Sequence, residues 1–117
     1  FAFEDWDDGF VGNGGDMAEG SHHNTFDGIT VDNASRLIYM AEGTTSSTFS
    51  DNNTWLNCDF KNIELTFALL TKNNNNLIKD STFDNLEQWE SSKYDFNFSF
   101  ENCTFKNAKF PTNGISN

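Results

Sequence analysis

The chain has 117 residues, enough for one domain with a core and too few for two of ordinary size. Its formal net charge is -11, with eight acids and no Lys or Arg before Arg36, so nucleic acid and an anionic membrane are poor partners. Seventeen asparagines and thirteen phenylalanines, one proline, and no run near the roughly 18 apolar residues of a membrane span point away from long helices and toward a bend-rich, all-β chain.

The first residues, FAFEDWDD, include neither a Met nor the basic start of a signal peptide, which reads as a processed or excised segment. Glu4-Asp5-Trp6-Asp7-Asp8-Gly9, followed by Asn13 and Asp16, reads as an acidic loop. Its carboxylates Asp5, Asp7, Asp8 and Asp16 are candidate ligands for calcium, a cation that prefers oxygen donors. The glycine and the closing glutamate do not fall where an EF-hand loop needs them, and a solvated acidic loop accounts for the same residues. No other cofactor is implied. His22-His23 beside Asp27 offers acid/base groups, yet two histidines in a polar loop are more often simply exposed.

Four segments then share a template: His23-Asn24-Thr25-Phe26-Asp27-Gly28, Asn57-Cys58-Asp59-Phe60-Lys61-Asn62, Asp80-Ser81-Thr82-Phe83-Asp84-Asn85 and Asn102-Cys103-Thr104-Phe105-Lys106-Asn107. Phe60, Phe83 and Phe105 are 23 and 22 residues apart, which is one coil of a solenoid. Phe3 stands 23 before Phe26, while the step from Phe26 to Phe60 is 34, read as one period plus an inserted loop containing Arg36. Phe49 offers a competing register there. Two residues after each ring come Gly28, Asn62, Asn85 and Asn107, the types that enter left-handed backbone at least cost, so a bend belongs at that position. Two residues before it come Asn24, Cys58, Ser81 and Cys103, small enough to lie inward beside a ring. Trp55, Ile78 and Phe100 end an earlier short strand, and Ile63, Leu86 and Ala108 begin a later one.

This pattern resembles the right-handed parallel β-helices of the pectate-lyase-like superfamily, in which an asparagine ladder occupies such a bend. The resemblance covers residues 48–112 well and 1–47 loosely. It implies about four to five coils of 22 to 23 residues in a single segment spanning 1–117, with irregular first coils over 1–47 and regular coils over 48–117. An antiparallel sandwich is the competing fold, but it needs no fixed period of this kind. Neither end shows a capping helix, so the chain is expected to continue into a longer solenoid, stack on a partner, or assemble end to end.

The template also assigns surfaces. Lys61, Asp84 and Lys106 should alternate in charge on adjacent rungs. Asn52, Asn75 and Asn97 should form an outward polar row, and Trp89 with Glu87 should face outward on the later strand, where an indole could stack on a sugar; a Trp covering a loop is the plainer account. Cys58 and Cys103 fall in one column two rungs apart, about 9.6 Å, beyond the reach of a disulfide, so free thiols packed in the core are expected. The sequons at Asn33, Asn52, Asn97 and Asn102 are expected by chance in so Asn-rich a chain. Enzymes of the resembled superfamily place clustered carboxylates and bases on the outward face of the first strand, where Asn, Thr, Ser and Leu stand here. These surfaces lead to an expected structural and adhesive role as an extracellular, cell-surface or virion-surface module that meets a polysaccharide or neighbouring copies. The alternative is a fragment of a polysaccharide lyase, hydrolase or phage tailspike depolymerase whose catalytic residues lie elsewhere.

Overall fold

The computed structural model describes residues 2–13, 23–41, 49–70, 72–92 and 96–108, with side chains for 23–40, 51–70, 72–91 and 96–108. They form eleven strands: β1 (Ala2–Asn13), β2 (Thr25–Asp27), β3 (Thr30–Ala41), β4 (Phe49–Asp51), β5 (Thr54–Leu56), β6 (Asp59–Leu69), β7 (Lys72–Asn74), β8 (Asn76–Lys79), β9 (Thr82–Ser92), β10 (Phe98–Glu101) and β11 (Thr104–Ala108). Among the described residues there is no helix. The strands make a five-stranded sheet ordered β1-β3-β6-β9-β11, a four-stranded sheet ordered β10-β8-β5-β2, and a two-stranded sheet of β4 and β7. Every pairing is parallel. The chain visits the sheets in rotation, so that β4, β5 and β6 are followed by β7, β8 and β9, each lying on its predecessor. This all-β, parallel arrangement is compatible with a solenoid.

What turns the chain, between strands and within the longer ones, is visible in the backbone. His23, Asn52 and Asn75 have φ of 58°, 56° and 55°; Gly28, Asn57, Asp80 and Asn102 have 73°, 53°, 53° and 51°; Asn33, Asn62, Asn85 and Asn107 have 65°, 58°, 61° and 49°. These are three columns of corners, one residue per pass. Left-handed backbone costs an ordinary L-residue about 1–2 kcal/mol, and Asn, Asp and Gly are the types that tolerate it. Gly28 meets nothing within 4 Å of where a Cβ would stand, so its glycine answers the φ requirement and not a lack of room.

Side chains facing inward between the corners make continuous columns. Val31, Phe60 and Phe83 are wholly buried and lie under the half-buried Phe105. The Phe60 and Phe83 centroids are 5.1 Å apart, and Phe83 and Phe105 stack at 4.7 Å with 11° between their planes. Phe26, Trp55, Ile78 and Phe100 form a second column, with Phe26 stacked on Trp55 at 5.4 Å. Ala34, Ile63, Leu86 and Ala108 form a third. Repeating rings therefore stack along the direction in which strands pair, as the period of Phe60, Phe83 and Phe105 requires.

The first passes differ from expectation. Phe26 does not belong to the Phe60 column: it pairs with Trp55, and Val31 pairs with Phe60. Gly28 accordingly heads the Asn57 column of corners, and Asn24 lies beside Asn53 instead of above Cys58. Phe49 pairs with Lys72, so the competing register fails as well. The true offset here is 29 residues, against 23 between the next two passes, and it falls outside the short strands, after β3. Arg36 sits within β3, its guanidinium carbon 4.1 Å from the Tyr39 ring centroid, and not in an insertion. Glu4–Gly9 is not a loop either, since the backbone of β1 is extended through it.

Phe83 is wholly buried with rings on both adjacent rungs, whereas Phe105 is only half-buried. Truncating Phe83 to Ala should therefore cost about 3–5 kcal/mol in urea unfolding, and truncating Phe105 clearly less. Equal losses would contradict the column.

Candidate functional site

The polar groups that the fold organises most completely are amides. On the outside, corner amides reach across to the neighbouring pass. Asn57 and Asn62 donate through Nδ2 to Asp27 and Asp32 at 3.1 and 2.7 Å. Asn85 donates to Asn62 at 2.9 Å, and Asn102 and Asn107 donate to Asp80 and Asp84 at 2.6 and 3.0 Å. Asn75 donates to Asn52. Left-handed backbone at each corner points equivalent side chains the same way, and the parallel register sets one above another, so the bonds repeat. These groups are mostly exposed, where a hydrogen bond between neutral amides contributes about 0.5–1.5 kcal/mol at best and one to a carboxylate, as at Asp27, Asp32, Asp80 and Asp84, somewhat more.

A second amide row lies inside. The Asn53 Oδ1 accepts from the Asn24 backbone N and from Asn24 Nδ2, at 3.1 and 3.0 Å. The Asn76 Oδ1 accepts from the Asn53 N and Nδ2, both at 3.0 Å. Buried Asn73 is met from the surface: its Oδ1 accepts from the N of the exposed Asn97 at 2.8 Å, and Asn97 Nδ2 donates to the Asn73 carbonyl at 2.9 Å. Asn53, Asn76 and Asn73 are only 2%, 1% and 3% exposed. A buried amide is tolerated only when its hydrogen-bonding groups are met, and here the next pass supplies the partners. This inner row was not anticipated. Its signal was the doublets Asn52-Asn53 and Asn75-Asn76, which alternate one corner amide with one inward amide at a spacing of 23.

The anticipated bend ladder of Asn62, Asn85 and Asn107 lies in one column and continues to Asn33. Asn52, Asn75 and Asn97 likewise share a column, half-buried at Asn52 and exposed at the other two. Lys61 pairs with Asp84, and Asp84 with Lys106, giving the alternation in charge. Glu87 is exposed in β9, on a different sheet from the Asn52 row, so the structure does not bring those residues to one site. Trp89 is a correction: it is 5% exposed and packs against Phe67, Phe83, Phe96, Phe100 and Phe105. An indole held on so many rings has no face to offer a sugar. Strict alternation breaks before it, for Glu87 and Gln88 are both exposed, and that shift turns Trp89 inward.

Asp5, Asp7 and Asp8 stand in β1, with Asp8 paired to Arg36, and Asp16 lies outside the described residues. Among the described residues no group of three potential metal ligands comes together. His23 is an exposed corner residue heading the Asn52 column, and His22 lies outside the described set. Asn102 of the last sequon is exposed although Cys103 beside it is half-buried.

Cys58 and Cys103 are free thiols. Ser81 lies between them in their column, its Oγ accepting from the Cys58 N at 3.1 Å and donating to the Lys79 carbonyl at 2.9 Å. The Cys58 thiol donates to the Leu56 carbonyl at 3.3 Å, and that of Cys103 to the Ile78 carbonyl at 3.3 Å. Burial is the main cause that pushes both thiols above the ordinary value of 9.0. Cys58 packs as a small core residue, and Cys103 sits half-buried in the same column.

No protein-family model, curated protein or solved structure matches this chain.

Two outcomes follow from the amides and thiols. Asn76→Ala removes the acceptor of two Asn53 N–H groups and should cost about 1–3 kcal/mol, whereas Asn85→Gly at an exposed corner should stay within about 0.5 kcal/mol, both read by urea unfolding. A thiol raised in the folded state favours folding while it is protonated. Stability should therefore hold below pH 9.0 and fall as pH rises through and above it, as a pH series of melting curves would show.

Proposed function

We propose that this chain is a segment of a right-handed parallel β-helix with a structural and adhesive role, working outside the cell or on a virion surface as a stiff module that presents rows of amides to polysaccharide. The observation that carries this reading is the register of the left-handed corners: three columns of Asn, Asp and Gly, with His23 at the head of one, whose side chains hydrogen-bond to the neighbouring pass. A chain whose corners repeat in this way can close each pass into a coil. The rotation through three sheets supports closure, and the right-handed crossover is the near-universal choice for parallel strands in one sheet.

Stiffness follows from pairing that runs without interruption from β3 through β11 in the longest sheet. An adhesive surface follows from chemistry. Asn75 and Asn97 are exposed beside Asn52, with Thr54, Leu77 and Ser99 on the adjoining strand, a row of amide, hydroxyl and short apolar groups that suits the hydroxyls and ring faces of a neutral glycan. A charged polymer would be served differently, because a chain of net charge -11 repels acidic polysaccharide at low ionic strength.

The test is an array of neutral and acidic polysaccharides probed with the purified chain, with product analysis alongside. Retention on neutral glycans should drop at least about threefold when Asn75 and Asn97 are both changed to Asp, since paired carboxylates in a parallel row repel and lose their N–H donors. Retention that ignores these changes would remove the surface from the proposal, and new reducing ends or unsaturated products would replace it with a degradative enzyme.

A further inference from the structure

We propose that the amide row takes an extended, neutral, β-linked glycan lying along the direction in which the strands stack, one sugar unit to each rung. This inference deepens the adhesive reading above and rests on it. In the four-stranded sheet Phe26, Trp55, Ile78 and Phe100 pack in the core, so the residues on either side of them face outward. Thr25, Thr54, Leu77 and Ser99 therefore form one outward column, in register across all four strands. Asn52, Asn75 and Asn97 form the column beside it, two residues earlier in the chain and headed by His23.

Charge selects this strip from the rest of the described surface. Neither column contains a carboxylate or a lysine, and His23 at the head of the amides is the one titratable side chain in them. The column on the far side, Asp27, Leu56, Lys79 and Glu101, carries both signs. On the five-stranded sheet Asp32, Lys61, Asp84 and Lys106 put a charge on each of their rungs. A polymer with an acid on every unit is repelled by Asp27 and Glu101 at the border, whereas an uncharged one meets only amides, hydroxyls and the Leu77 side chain. Columns two residues apart along the chain lie within about 7 Å of each other, which suits a single linear sugar chain.

The register sets the direction. Neighbouring rungs are about 4.8 Å apart, comparable to the length of one sugar unit in an extended glycan, so a chain lying along the columns meets an equivalent pair of side chains at every step. A chain lying across them leaves the strip after one unit. The ladder itself uses one N–H of Asn75, donated to Asn52, and one of Asn97, donated to the Asn73 carbonyl. A primary amide has two N–H donors and an acceptor oxygen, so each of these exposed residues keeps a donor and an acceptor for sugar hydroxyls, which act as both. Half-buried Leu77 lies between Thr54 and Ser99 in the adjoining column, an apolar step for a ring face flanked by two hydroxyls.

Two oligosaccharide series, titrated calorimetrically into the intact chain, test the alignment: cello-oligosaccharides, which are extended, and malto-oligosaccharides, which curl. Affinity for the cello series should rise about two- to tenfold with each added sugar from disaccharide to tetrasaccharide and then level off, because four strands supply the rungs. The malto series should show no such rise. Ser99→Glu, at one end of the outward column, should abolish the last gain and leave disaccharide affinity within about twofold, since a short ligand still finds Thr25, Thr54 and Leu77. Circular dichroism on each sample reports folding separately. Retention on neutral polysaccharide with neither series bound, with affinity that ignores length, with equal rises in both series, or with a Ser99→Glu loss that is the same at every length overturns the alignment and leaves the adhesive reading standing. A folded chain that no neutral polysaccharide retains overturns both.

Discussion

The fold depends on left-handed corners repeated in register. A parallel strand pair fixes where each residue sits relative to its neighbour on the next pass, but it does not by itself turn the chain. Asn57, Asn62 and their column mates do that, and only a few residue types can do so cheaply. Because the turning residue is an amide, it also supplies the bond to the pass beside it. One requirement thus selects the residue twice, once for its backbone and once for its side chain, and this explains the asparagine content.

Inside, the same register brings like side chains together, and each column meets that condition in its own way. Rings on rings gain contact area and stacking geometry. Amides on amides, as in Asn24, Asn53 and Asn76, exchange donors and acceptors in sequence. Small groups, Cys58, Ser81 and Cys103, fill the narrow space beside a corner, with thiol and hydroxyl bonded to nearby carbonyls. Charges are the one class that gains nothing from repetition, and along the outer column they alternate from Asp32 through Lys106 instead. The inner amides add a constraint that rings lack: a shift of one residue would leave Asn53 and Asn76 buried without partners, so they help define the register as well as stabilise it.

Much of this was legible before any coordinates. Phe60, Phe83 and Phe105 could be placed because a fixed period, an Asn two residues on and a small residue two residues back all agreed. The first coil could not, and the reason is physical. Thr25-Phe26-Asp27 and Thr82-Phe83-Asp84 are the same three residues, yet one belongs to the four-stranded sheet and the other to the five-stranded sheet. Both triplets lead into a left-handed corner, Gly28 or Asn85, with one ring at their centre, so local sequence cannot tell them apart; only the pairing of Val31 with Phe60 does. Trp89 was misplaced for a different reason, since two-residue alternation holds from Asn85 to Glu87 and then slips, which no pattern of neighbouring residues announces. Candidate surface residues were legible as types at columns and no further, because a flat polar row carries no cluster of mutually tuned groups to mark it.

Passes of unequal length nevertheless return to the same columns. His23 and Asn52 are corner mates across 29 residues, Asn52 and Asn75 across 23, and Asp80 and Asn102 across 22. Extra chain is absorbed between the end of one long strand and the start of the next short one, leaving every corner aligned. A scaffold of this kind can therefore acquire or shed whole excursions at that crossing in the course of evolution while its interior stays unchanged, which separates the diversification of its periphery from the conservation of its frame.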